Sequence, residues 1–191
     1  AKKDGTELFA VCVNLETGEI AHDIKVFDVA NPQNEFSNLN THATPTPIIE
    51  AGRIYVHFGS YGTACLDTQT GKKLWERRDL NCDHRVRAAS CPIIDGDLIF
   101  LTYDGVDQQF VAALEKETGK TRWMTKRTYK SGRVPPKDKP NDNRKSYATP
   151  TIIEHDGKKQ LISPAAEATY SYDPSTGKEL WFIRHGSGYG Y

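Results

Sequence analysis

The chain carries little that would point to a membrane span, a helical core or a charged partner. No apolar run in its 191 residues approaches the ~20 needed for a spanning helix. No stretch shows convincing 3.6-residue periodicity, so a parallel α/β fold, which needs helical crossovers, is excluded. The 25 basic and 25 acidic residues cancel, which removes any general electrostatic reason to bind nucleic acid or an anionic membrane. The four cysteines include no Cys-x-x-Cys pair, and no His-x-Glu or Glu-x-x-His spacing falls on a helix, so no structural metal site is expected. A Gly-x-Ser-x-Gly elbow is also missing, since Gly186-Ser187-Gly188 has a different spacing. The first residues, 1–6, hold no apolar stretch of the signal-peptide kind.

What is present is a repeat. Thr70-Gly71-Lys72-Lys73-Leu74-Trp75, Thr118-Gly119-Lys120-Thr121-Arg122-Trp123 and Thr176-Gly177-Lys178-Glu179-Leu180-Trp181 are copies of one pattern. Thr17-Gly18-Glu19-Ile20-Ala21-His22 is a degraded fourth, with His22 in the tryptophan column. The threonines stand 53, 48 and 58 residues apart, a period that marks a repeat architecture.

Each unit reads as four short strands. In the second, 46–49 is apolar and ends at the turn Glu50-Ala51-Gly52, and Arg53–Phe58 alternates polar and apolar residues. Thr63–Leu66 follows, then a turn, then a last strand ending at Trp75-Glu76. Gly71, Gly119 and Gly177 are expected at positive φ, closing a type I turn with a bulge. Asp67, Asp173 and Asn14 cap the turn amides, and Glu115 does so less well. The tryptophans, on the last strand of each unit, are expected to pack between neighbouring sheets. Cys12 and Cys65 share one repeat column and read as small buried side chains. Cys82 and Cys91 flank the loop 83–88, either packed or bridged. Antiparallel four-stranded units at this period predict an all-β fold, a β-propeller.

The pattern resembles the PQQ-like, or quinoprotein-type, propeller repeat: a small residue, Asp, two variable residues, Thr-Gly-Lys, two more and Trp. Cys65–Trp75 and Ser171–Trp181 match it closely, and Ala113–Trp123 departs at Glu115. Among members, the chain looks most like bacterial PQQ-like repeat proteins described by similarity to the propeller lipoprotein of outer-membrane assembly. The resemblance implies a ring of about seven or eight blades, of which about three and a half are present. The blades are expected at 8–30 (partial), 43–80, 88–128 and 147–185, with 129–146 a basic inter-blade loop. The remainder of a propeller chain is then needed to complete the ring. An extracytoplasmic location, periplasmic or outer-membrane associated, is implied by the resemblance alone.

In such blades the inter-blade links and the loops between strands two and three emerge on one face. That expectation gathers His42, His84, Arg85, Arg87, Arg144, Lys145 and Tyr147 around a channel mouth, joined by Tyr61, Asp104, Asp107 and Glu167. A basic and aromatic rim of this kind suits an anionic or peptide ligand. Quinoprotein dehydrogenases, by resemblance, hold their quinone with two adjacent bridged cysteines and calcium; this chain has no Cys-Cys pair. No cofactor, metal or catalytic residue is assigned. The expected role is a non-catalytic scaffold contacting a protein or peptide partner. The alternative is part of a quinoprotein-type oxidoreductase whose cofactor residues lie outside this segment.

Overall fold

A computed structural model describes residues 5–32, 40–129, 137 and 142–185. The strands are β1 (Glu7–Val13), β2 (Ile20–Asp28), β3 (Ile48–Glu50), β4 (Arg53–His57), β5 (Thr63–Asp67), β6 (Lys73–Arg77) and β7 (Ile93–Asp95). They continue as β8 (Leu98–Asp104), β9 (Gln109–Glu115), β10 (Thr121–Lys126), β11 (Thr151–His155), β12 (Lys158–Pro164), β13 (Ala168–Tyr172) and β14 (Glu179–Arg184). Among the described residues, helix is confined to two short 3-10 turns, Gly59–Tyr61 and Asp142–Arg144. β3–β6, β7–β10 and β11–β14 form three four-stranded antiparallel meanders, and β1–β2 forms a two-stranded sheet. The architecture is all-β, a partial propeller.

Three hydrophobic cores lie between successive sheets. Leu8, Val26 and Phe27 meet Val56, Ala64 and Leu66. Tyr55 and Cys65 meet Ile99, Leu101, Phe110, Ala112 and Leu114. Phe100, Val111, Ala113 and Trp123 meet Leu161, Ala168, Tyr170 and Tyr172. The two-residue period of a strand explains the division: alternate residues of β9 feed the core on one side of the sheet and then the other. A strand buried on both faces reads as a nearly unbroken apolar run, as Phe110–Leu114 does.

The four motif turns are superimposable in their bonding. The backbone carbonyls of Asn14, Asp67, Glu115 and Asp173 accept from Gly18, Gly71, Gly119 and Gly177, each glycine with φ between 69° and 74°. The side-chain oxygens of Asn14, Asp67 and Asp173 each take two turn amides. The longer Glu115 carboxylate instead accepts from the Thr118 hydroxyl at 2.9 Å. A register shift then places one extra residue (Leu74, Arg122 or Leu180) before each tryptophan.

Trp75 donates its indole N–H to the Lys116 carbonyl at 2.9 Å and lies on Gly119. Trp123 does the same to Pro174, at 2.8 Å, and lies on Gly177. Each tryptophan therefore docks on the Thr-Gly turn of the next blade. Two expectations fail at the ends. Trp181 is 38% exposed and donates to Gln160 of its own sheet, because no further sheet follows β14 among the described residues. His22 keeps the tryptophan's register opposite Cys12, but Ile24, two residues on, covers Gly71. Cys12 is exposed, unlike Cys65: among the described residues β1 pairs only with β2, whereas β5 is flanked by a strand on each side.

Candidate functional site

The link between the second and third sheets is stapled from both. Ser60, in the β4–β5 loop, donates to the Cys82 carbonyl at 2.6 Å and accepts from the Cys82 amide at 2.9 Å. From the β8–β9 loop, Val106 donates its N–H to the Asp83 carbonyl, and an Asp107 carboxylate oxygen accepts from the Asp83 amide at 2.7 Å. Between these anchors the backbone turns sharply. Val86 donates to the His84 carbonyl at 2.6 Å, a γ-turn centred on Arg85 at φ 60°, and Arg87 follows at φ 71°. Two arginines in the left-handed region within three residues store strain that the staples hold in place.

This geometry opens a cleft of about 200 Å³ that includes His42, Phe58, Tyr61, Asp83, His84 and Arg87 among its lining residues. The His42 and Tyr61 rings meet edge-on, 5.3 Å between centroids, and Arg87 donates to the Asn40 carbonyl at 3.1 Å. Tyr147 sits alongside, its hydroxyl donating to the His84 carbonyl at 3.4 Å. Below it, His57 is buried with its Nδ1 2.8 Å from the Thr63 hydroxyl.

Burial sets the protonation here. It pushes His84 down to about 4 against the opposing pull of Asp107 and Asp83. It pushes His57 to about 3, with His84 adding to the effect. His42 falls to about 4 through burial and the nearby Arg87 guanidinium. The imidazoles are therefore neutral near pH 7, each able to donate and accept one hydrogen bond, while Arg87 stays cationic. Burial raises the Cys82 thiol far above its ordinary value, so it is held protonated rather than as a nucleophile. Cys82 and Cys91 are not bridged. A cleft with one guanidinium, neutral imidazoles and an aromatic wall is equipped to bind a polar or anionic group.

The remaining residues of the expected rim lie elsewhere. Arg144 lines a second cleft, of about 250 Å³, with Arg127, Tyr129 and Tyr170. Lys145 is buried, not displayed at a mouth. Asp104, expected on the solvent face, is 2% exposed and forms a two-point ion pair with Arg127, at 3.0 and 2.7 Å. Arg127 also donates to Ser163 Oγ at 2.9 Å and lies 4.8 Å from the Tyr170 ring centre, which clamps the third sheet to the fourth. Sequence reading missed this pair because its members are 23 residues apart in a repeat whose motif involves neither. Most of the basic loop 129–146 lies outside the described residues.

The residues do not fit the quinone site that the fold family implies. The carboxylate of Asp104 is committed to Arg127, Asp107 holds the Asp83 amide, and the described residues contain no group of three or more metal-capable side chains. No described helix is long and apolar enough to cross a membrane.

Comparison with solved structures supports the fold. A europium-containing methanol dehydrogenase is 14% identical with a TM-score of 0.63, covering 96% of this chain and 40% of its own. The quinohemoprotein alcohol dehydrogenase from Comamonas testosteroni is 12% identical with a TM-score of 0.64, covering 98% and 34%. BamB from Moraxella catarrhalis is 19% identical with a TM-score of 0.54, covering 87% and 40%. This chain thus spans between about a third and two fifths of these proteins' length. Comparison with curated protein sequences gives no match. The family model described as outer membrane protein assembly factor BamB matches residues 4–125, more than half of the sequence. With the repeated docked tryptophans and the meander sheets, that match shows that the chain belongs to this PQQ-like propeller family.

Proposed function

We propose that the chain is a non-catalytic binding or scaffolding element of a propeller, contacting a protein or peptide through the loop face between its second and third sheets. The observation that carries this reading is the stapled cleft bringing His42, Tyr61, His84 and Arg87 together. Its strained loop is fixed in advance of any ligand, so little ordering entropy is lost on binding. The family description, an assembly factor, is in keeping with such a role, and so is an extracytoplasmic location. In a complete ring, further blades would extend the same face.

Peptides selected on the immobilised chain should lose at least about tenfold in affinity with Arg87→Ala, the scale of a lost hydrogen bond to a charged group. Selected peptides that bind this variant undiminished would reject the cleft as the site. The likeness to two quinoprotein dehydrogenases favours a second reading, part of an oxidoreductase with its cofactor residues outside this segment. Quinone retained by the complete protein, with none bound by this segment alone, would support it.

A further inference from the structure

On the side of the Thr-Gly turns, the groove between sheets is bridged at one junction and open at the next. Between the second and third sheets, Lys116 reaches across to Glu50 at 3.3 Å and Arg53 reaches Glu117 at 2.6 Å. The repeat identifies the equivalent positions one sheet on. Leu98 stands opposite Glu115 as Arg53 stands opposite Asp67, and Asp95 pairs with Leu98 as Glu50 pairs with Arg53. The Pro174 carbonyl takes the Trp123 indole as the Lys116 carbonyl takes that of Trp75. Pro174 and Ser175 thus occupy the places of Lys116 and Glu117, and neither side chain can span the gap. Ser175 donates instead to Asp173 of its own turn, at 2.6 Å. What is left is a groove of about 510 Å³ with Leu98, Phe100 and Leu180 among its lining residues. Leu180 is 46% exposed. Both sheets that wall the groove are complete, with four strands each, so it does not stem from an unfinished blade.

Charge selects the occupant. Lys159 takes Asp95 at 2.6 Å and Arg122 takes Glu115 at 3.2 Å. Setting those pairs aside, Asp97 and Asp173 face Lys158 along the groove, two acids against one base. Asp97 also stands where the second sheet has the uncharged Gly52, which adds a carboxylate at the end that receives the cation. We infer that this groove docks a lysine side chain of a partner polypeptide, its aliphatic stem along Leu98 and Leu180 and its ammonium at Asp95 and Asp97. The protein's own Lys116, bridging the preceding groove to Glu50, is the template for that occupant. A lysine suits the lining because its stem covers apolar surface while its charged head stays at the wet rim. Complementary charge supplies the selectivity over acidic segments. The site lies on the turn side, apart from the loop-face cleft and independent of it.

The test titrates the whole isotope-labelled chain with an acetylated and amidated peptide, Gly-Leu-Lys-Leu-Gly, and follows the amide resonances of Asp97, Lys158 and Ser175. These should shift saturably. Affinity should fall about tenfold when norleucine, which keeps most of the stem and lacks the charge, replaces the lysine. Asp97→Asn should weaken the lysine peptide about fivefold. The double change Leu98→Arg/Ser175→Glu transplants the Arg53–Glu117 bridge into the open groove and should abolish the shifts with the circular dichroism spectrum unchanged. Arg87→Ala, in the loop-face cleft, should bind the peptide normally. Absence of saturable shifts, equal affinity for the norleucine peptide or for one with glutamate in place of lysine, or undiminished binding by Asp97→Asn would overturn the inference. Should the double variant fail to fold, Asp97→Asn and the norleucine peptide decide alone. Shifts of the same resonances that grow with protein concentration in the absence of peptide would overturn it in favour of a second copy of the chain as occupant.

Discussion

Replacing the motif glycines one at a time by alanine separates two costs that the repeat combines. All four have nearly the same φ, 69° to 74°, so each Gly→Ala change carries a similar left-handed backbone penalty of about 1–2 kcal/mol. Their surroundings differ. A methyl on Gly18 meets nothing within 4 Å; on Gly71 it meets the movable end of Ile24. On Gly119 it would lie 2.6 Å from the Trp75 ring, and on Gly177 2.5 Å from the Trp123 ring. A rigid indole held by its own hydrogen bond cannot yield as an isoleucine end can, so overpacking adds about 1–3 kcal/mol at these two sites. Urea denaturation followed by circular dichroism should therefore rank the losses Gly18→Ala smallest, Gly71→Ala next, Gly119→Ala and Gly177→Ala largest. The midpoints should shift at constant slope. Trimming the partner in the double variant Gly177→Ala/Trp123→Leu should give less than the sum of the single losses. Equal losses at Gly71, Gly119 and Gly177 would refute the argument that the tryptophan, as well as the turn, demands glycine.

Three further outcomes are expected. Trp123→Ala should cost about 3–5 kcal/mol as a large core truncation, whereas Trp181→Ala, on a half-open face, should cost about 1 kcal/mol; calorimetric or urea midpoints compare them. Arg127→Met strands the buried Asp104 carboxylate and should lower stability by about 3–5 kcal/mol, with Asp104→Leu in the same chain recovering most of the loss. His57 and His84 have folded values depressed to about 3 and about 4 from 6.5, so the unfolded chain takes up protons that the folded chain refuses. Their contribution is complete above pH 6.5 and is lost as pH falls toward the folded values, by about 1.4 kcal/mol per histidine per pH unit. Urea midpoints at a series of pH values read this slope, which should flatten in His57→Gln.

The blade is written in local chemistry. Turn chemistry is local: Asp67 or Asn14 capping its own amides and a glycine at positive φ act within a few residues, and strand alternation is written along the chain, so both are legible without coordinates. The order of strands follows from these, and with it the face on which His42, His84 and Arg87 emerge. The rest depends on which sheet lies next to which. The same motif gives a buried Trp123 and a half-exposed Trp181, because a neighbouring turn is present for one and not the other. One repeat column holds a buried Cys65 and an exposed Cys12, the first on a strand flanked on both sides and the second on one paired, among the described residues, only with β2. Asp104 and Arg127, each polar at a strand end, read as surface residues until two sheets close over them and the pair becomes their mutual solvent. Neighbour relations between sheets are long-range contacts, and a repeat pattern, being the same in every copy, carries no record of which copies have neighbours.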